Sequence, residues 1–232
     1  MPPSSILPPL PHPITGVIFD FDGVIVDTEG AVYQAWQEVF QAHGGHLPLD
    51  LYVQCVGSDH DSWDPKSYFE EITGIRPHWP NLLDPKNQRT RDLLEGHGPM
   101  PGVVSCLEAL RALGLPLAVA SSSSRAWVGG WLERLGLSGY FHSWHCRDDV
   151  ERVKPAPDLF LRAAAALNLP CQSLLVIEDS ANGMKAALSA GMSVLAVPNT
   201  ITASQDFTGA WHIADSLQTF PLATHLRDTM LR

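Results

Sequence analysis

Asp20 and Asp22 stand two residues apart at the end of an apolar run, with Gly23 beside them. Far downstream come Ser121, which opens a run of four serines, then Lys154 in VKPAPD, then the adjacent pair Glu178-Asp179 followed by Ser-Ala-Asn-Gly. Brought together, Asp20, Asp22, Glu178 and Asp179 put four carboxylates in one crevice. Like charges that close cannot all stay ionised without compensation. Lys154 supplies one positive charge, and a divalent cation supplies two more. An all-oxygen donor set with no Cys or His nearby favours Mg2+ over zinc. Because Mg2+ keeps waters and shares phosphate oxygens, the expected substrate is a phosphate ester. Asp20, ending the run, can face both metal and phosphorus, as a carboxylate nucleophile must. Asp22 is near enough to give a proton to the leaving oxygen and later to take one from water. Ser121 and Lys154 are expected to hold and neutralise the phosphate oxygens.

Such convergence requires strand ends. Residues 14–23 form a compact run of β-branched and aromatic residues closed by Asp and Gly, the pattern of a buried parallel strand. Further strands are expected over 115–120, 174–177 and 194–197, alternating with helices over 103–112, 125–135, 158–167 and 183–190. That alternation predicts an α/β fold, a Rossmann-like parallel sheet covered on both faces. Ligands bind such sheets outside the carboxyl ends of the strands. Between the first strand and its partners the texture is helical. Val32, Trp36, Val39 and Phe40 recur at helical spacing until Gly44-Gly45, and candidate helices lie near 67–73 and 87–94. The expected division is a Pro-rich tail (1–13), an α/β core domain (14–30 and 101–232) and an inserted helical cap domain (31–100).

Composition narrows the partners. Apolar residues at 45% allow a substantial core, while 25 acidic against 15 basic residues argue against a nucleic-acid partner. Cys55, Cys106, Cys146 and Cys171 form no CxxC pair, which points to a reducing compartment rather than a zinc or disulfide framework. No apolar run approaches the ~18–20 residues that cross a bilayer. The first thirteen residues hold six prolines and neither Lys nor Arg, unlike a signal peptide. The expectation is a soluble, cytoplasmic monomer with no membrane partner. Trp36, Trp127 and Trp131 lie at helical spacing and read as packing. Ser123 and Ser124 read as a polar loop with Ser124 as helix N-cap, and Ser122 is the alternative to Ser121 for the phosphate contact. Neither GxxxxGK[ST] nor GxGxxG occurs.

DFDGVIVDTE at 20–29 resembles the first motif of the haloacid dehalogenase superfamily. The Ser121 strand end, Lys154 in KPAPD, and Glu178-Asp179 in IEDSANG resemble its second, third and fourth motifs, in the same order, within about residues 14–217. The helical insertion resembles the small cap of the β-phosphoglucomutase and phosphoglycolate phosphatase branch. The resemblance implies Asp20 as nucleophile and Asp22 as acid–base. It implies Mg2+ held by the Asp20 carboxylate, the Asp22 carbonyl oxygen and Asp179, with Glu178 as a ligand or directly behind one. It puts Ser121 and Lys154 on the phosphate. Gly23, Glu29 and Ser122 are expected against the substrate. Asp22 argues against dehalogenation, since dehalogenases of the superfamily lack that residue. The phosphonate-cleaving branch uses a cap lysine, but Lys66 and Lys86 fall outside the early-cap helix where it is expected. Mutases of the branch carry a His where Val32 stands and an Arg in a loop that here reads Val-Gly-Ser-Asp-His from Val56. The expected activity is therefore a Mg2+-dependent phosphatase for a small phosphorylated metabolite, of the sugar or polyol class, acting through a phosphoaspartyl intermediate. The alternatives are a sugar-phosphate mutase and a non-catalytic metal- or phosphate-binding module. Asp59, His60, Asp61, Trp63 and Asp64 make an acidic loop expected to disfavour a second phosphate.

Overall fold

The computed structural model describes residues 8–58 and 63–230. Six strands form one parallel sheet: β1 (Gly16–Phe19), β2 (Leu117–Ala120), β3 (Ser143–His145), β4 (Leu174–Glu178), β5 (Ser193–Ala196) and β6 (His212–Ile213). The order is β3-β2-β1-β4-β5-β6, which puts β1 at the centre. Its register sets Phe19 beside Val119 on one side and Ile177 on the other.

Side chains alternate across the sheet, so each strand feeds two cores. Val17, Phe19, Leu117, Val119, Leu175 and Ile177 face one layer. That layer holds α5 (Val103–Ala112), α6 (Arg125–Arg134) and α9 (Leu222–Met230). Ile18, Ala118, Ala120 and Val176 face the other, against α7 (Asp158–Leu167) and α8 (Ala181–Ser189). The small residues there, Ala118 and Ala120 against Ala163 and Ala164, let α7 lie close to the sheet. The result is the α/β, Rossmann-like fold with helices on both faces.

Between β1 and α5 the chain forms α1 (Glu29–Ala42), α2 (Leu49–Tyr52), α3 (Pro65–Thr73) and α4 (Trp79–Leu93). Trp36, Phe40, Tyr52 and Phe69 make a third, separate apolar cluster with Trp79, Leu82 and Leu83 packed against it. The two crossings into this block lie side by side, the Met100 amide donating to the Ile25 carbonyl at 2.8 Å.

Several elements differ from the sequence expectation. β3 and β6 fall outside the expected strands, because they are edge strands of three and two residues with no continuous buried run. α2 and α9 are also additional. α4 begins at Trp79 rather than near residue 87, with Pro80 in its first turn, where a missing N–H costs nothing, and Pro85 inside. β4 continues through Glu178. Among the described residues no helix is long and apolar enough to cross a membrane.

Candidate active site

Three strands deliver the acidic group and the serine run to one edge of the sheet. Asp20 follows β1, and its amide donates to the Ile177 carbonyl at 2.9 Å. Asp179 follows β4. Ser121 follows β2, its amide donating to the His145 carbonyl at 2.9 Å. One carboxylate oxygen from each of Asp20, Glu178 and Asp179 lies within 4.8 Å of the others, and all three residues are buried.

Lys154, fully buried, closes this group. Its Nζ donates to Asp20 Oδ1 and to Glu178 Oε1, the latter at 2.6 Å, and lies 4.9 Å from the Phe160 ring centroid. Burial alone lowers a lysine pKa, but Asp20 and Glu178 outweigh it and hold this one above the ordinary range. Glu178 Oε2 accepts from the amides of Asp179 and Ser180, both at 2.9 Å, and from Ser180 Oγ at 3.0 Å. Both Glu178 oxygens are thus spent on the protein. Ser180 in turn caps α8, its Oγ accepting from the Gly183 amide.

Asp179 Oδ2 accepts from Asn199 Nδ2 at 2.7 Å. Burial pushes Asp20 up, Lys154 opposes, and Glu178 and Asp22 push it further. Burial likewise raises Asp179, followed by Glu178 and Asp20. These carboxyls hold more negative charge than one lysine compensates. Hard oxygen donors with unbalanced charge fit a divalent cation, with Asp20 and Asp179 the freer to bind it. Gly23 explains itself here: its φ is +80°, and a Cβ would lie 2.2 Å from Asp179 Oδ2. The structure sets Gly23 against Asp179 and Asn199 rather than on the wall of the cavity described next.

The Asp22 carboxylate stands outside this group, so three carboxylates gather and not four. Oδ1 accepts from Thr28 Oγ1 at 2.8 Å and from the Trp127 indole N–H at 2.9 Å. Oδ2 accepts from Ser123 Oγ at 2.6 Å and Ser121 Oγ at 3.2 Å. Ser123 and Trp127, which the sequence reads as loop and packing, are therefore in direct contact with the expected acid–base. Ser122 also lines the cavity described next, but its Oγ donates to the Gly57 carbonyl of the helical block at 3.0 Å and not to Asp22.

Asp20, Asp22 and Ser121 open onto a cavity of about 410 Å3 between the sheet edge and the helical block. Lys154, Glu178 and Asp179 lie beneath its floor. Glu29, the first residue of α1, lines the far wall together with Tyr52, Lys86 and Arg91, and Arg147 joins from the core. Glu29 accepts from Tyr52 Oη at 3.4 Å, and burial pushes its carboxyl up to about 8. Lys86 lies over the Trp36 ring at 5.2 Å, and burial pulls it down to about 8 against the pull of Glu29. Sequence reasoning had set Lys86 aside. Lys86 and Thr90, one turn apart on α4, are both buried, and Lys86 falls one turn after Leu82 and Leu83, on the side of the helix that packs on the apolar cluster. Asp59, His60 and Asp61 of the acidic loop lie outside the described residues.

A family model, haloacid dehalogenase-like hydrolase, matches residues 17–197. The chain is 39% identical over 210 residues to "Putative phosphatase YhcW" of Bacillus subtilis (strain 168), covering 90% of this chain and 95% of that one. It is 33% identical over 187 residues to the Escherichia coli (strain K12) fructose-1-phosphate phosphatase YqaB, covering 78% and 95%. Its fold is similar to that of β-phosphoglucomutase from Clostridium difficile, with a TM-score of 0.75 at 24% identity over 94% of this chain and 100% of the other. The chain belongs to the haloacid dehalogenase-like hydrolase family, as a phosphoric monoester hydrolase.

Proposed function

We propose that this phosphoric monoester hydrolase is a Mg2+-dependent phosphatase of a small phosphorylated metabolite, of the sugar or polyol phosphate class, working through a phosphoaspartyl intermediate at Asp20. The observation that carries the reading is the buried Asp20–Lys154–Glu178 chain with Asp179 beside it, set directly under a cavity that Asp22 also lines. The family membership and the relative that acts on fructose 1-phosphate support the same class.

The Asp20 carboxylate attacks phosphorus and forms the acyl phosphate, while Asp22 gives its proton to the departing sugar oxygen. Water then attacks the acyl phosphate, Asp22 takes its proton, and Asp20 is regenerated. Ser121 is placed to donate to a phosphate oxygen once its bond to Asp22 is released. Lys154 orients Asp20 and offsets its charge, and Glu178 holds Lys154 and the start of α8 in place. Mg2+, held by Asp20 and Asp179 with the Asp22 carbonyl oxygen, would neutralise charge on the transferring phosphoryl group. Residues 31–100 act as a cap domain that closes over the cavity about its two adjoining crossings and excludes water. The reading includes a cytoplasmic monomer, in keeping with four free cysteines.

The test is phosphate release across a panel of phosphorylated metabolites, with Mg2+ or with chelator, for wild type and Asp20→Asn. Mg2+-dependent release that the substitution abolishes in a folded protein is the expected result. Near-wild-type turnover by Asp20→Asn refutes the assignment. Interconversion of glucose 1-phosphate and glucose 6-phosphate on a bisphosphate primer, without release, identifies a mutase instead.

A further inference from the structure

Trp127 lies in the first turn of α6, beside Ser124, whose Oγ accepts the Trp127 amide at 3.3 Å and caps the helix. Its ring packs edge-on to Trp131, with centroids 6.0 Å apart. Packing accounts for an aromatic residue here but not for the indole nitrogen, which turns into the cavity and donates to Asp22 Oδ1 at 2.9 Å. A Phe would pack as well and would offer no donor.

The four donors on Asp22 are not equivalent. Ser121 Oγ is the group placed to move to a phosphate oxygen when substrate arrives. Thr28 precedes α1 and rides on the crossing into the helical block. Both contacts are exposed to change during turnover. Ser123 and Trp127 belong to the core, and each keeps hold of a different oxygen of the carboxylate. We propose that Trp127 is a positioning residue for leaving-group protonation: its indole N–H fixes the Asp22 carboxyl, on Oδ1, in the orientation that reaches the departing oxygen. The inference rests on the phosphatase reading above, with Asp22 as the acid. In the step concerned the phosphorus–oxygen bond to the sugar breaks as the bond to Asp20 forms. The proton passes from Asp22 to the sugar oxygen, and Trp127 transfers nothing.

That role has a signature that packing lacks. A sugar alkoxide needs a proton in order to leave, whereas p-nitrophenolate leaves without one. The experiment compares kcat/KM, which reports steps up to departure of the leaving group, for a hexose phosphate and for p-nitrophenyl phosphate. It uses wild type, Trp127→Phe and, as packing control, Trp131→Phe. Trp127→Phe is expected to lower kcat/KM for the hexose phosphate on the order of tenfold, the effect of one charge-assisted hydrogen bond. It should leave p-nitrophenyl phosphate within about twofold, which also reports that the variant is folded. Trp127→His, which restores a ring N–H, should recover part of the loss, and Trp131→Phe should change neither substrate. An equal loss on both substrates, or no loss on either, overturns the inference while leaving the phosphatase reading intact. Wild-type silence on both overturns that reading and this inference with it.

Discussion

Lys154→Met tests whether the acidic group is held as the structure has it. Met keeps an unbranched stem in contact with Phe160 and deletes the charge. What remains is Asp20, Glu178 and Asp179, buried and within 4.8 Å of one another, with no cation among them. Removing one partner of a buried ion pair costs about 3–5 kcal/mol, because the surviving charge is left uncompensated. For a chain of 232 residues each kcal/mol is worth roughly 2–4 °C, so the unfolding midpoint in chelator should fall by about 6–20 °C. The sign of the pH dependence follows from the raised carboxyls. Asp20 and Asp179 keep protons in the folded state at pH values where the unfolded chain has lost them, so stability falls as pH rises above about 4. Lys154 opposes that rise at both residues. Without it those carboxyls rise further, so the variant's loss of stability should continue to higher pH than in wild type. Mg2+ should give part of it back, since a ligand at a hundred times its Kd stabilises by about 2.7 kcal/mol. The assay is thermal unfolding followed by circular dichroism between about pH 5 and 8, in chelator or in millimolar Mg2+. A variant midpoint within about 2 °C of wild type at pH 8 in chelator would refute the reasoning. The three carboxylates would then not depend on this one cation.

Three further outcomes are expected. Gly183→Ala puts a Cβ 1.7 Å from Glu178 Oε1, so it should displace the carboxylate that holds Lys154, cost about 3 kcal/mol in denaturant unfolding and reduce phosphate release. Glu29 keeps its proton in the folded state up to about pH 8, so the wild type should lose stability as pH rises from the ordinary glutamate range toward 8. Glu29→Gln should flatten that loss, leaving it about 3.5 kcal/mol better off relative to wild type at pH 8 than at pH 5; parallel slopes would contradict the burial of the carboxyl. Asn199→Ala removes the 2.7 Å donor from Asp179 Oδ2 and should raise the Mg2+ concentration for half-maximal activity about tenfold, measured by metal titration of phosphate release.

The central strands were legible because β1, β2 and β4 are covered on both faces, which forces an unbroken run of buried residues into the sequence. β3 and β6 escaped for the converse reason: an edge strand needs neither length nor a continuous apolar run, and SWH or HI carries no pattern. Strand ends also told which residues share the site, since a residue following a central parallel strand has only one edge on which to emerge. Orientation was another matter. The Asp22 donors include Ser121, Ser123 and Trp127, 99 to 105 residues away in sequence, and nothing local to Asp22 specifies them. Helical spacing placed the Trp127 ring against its neighbour, but periodicity assigns a side chain to a face and says nothing of one polar atom on the ring. Lys86 falls outside the early-cap helix, and that position in sequence says nothing of the cavity it lines. Its place in the cavity comes from tertiary packing of α4 on α1, which a polar helix with two prolines does not announce.

Two buried lysines, Lys154 beneath the floor of the cavity and Lys86 on its wall, differ in what surrounds their charge. Both lose hydration. Lys154, bonded to two carboxylates, is held above the ordinary range and stays charged at every working pH. Lys86 has the Trp36 ring beneath it, burial outweighs the fields of Glu29 and Cys55, and it is drawn down to about 8, the value to which Glu29 is pushed up. The sheet edge therefore gathers three carboxyl groups around one ammonium. The far wall holds Glu29, whose carboxyl stays neutral up to about pH 8 and accepts from the Tyr52 hydroxyl, together with the Lys86 ammonium and the Arg91 guanidinium. The cavity is thus asymmetric in charge: carboxylates gather at the sheet edge, while Lys86 and Arg91 stand on the wall formed by the helical block.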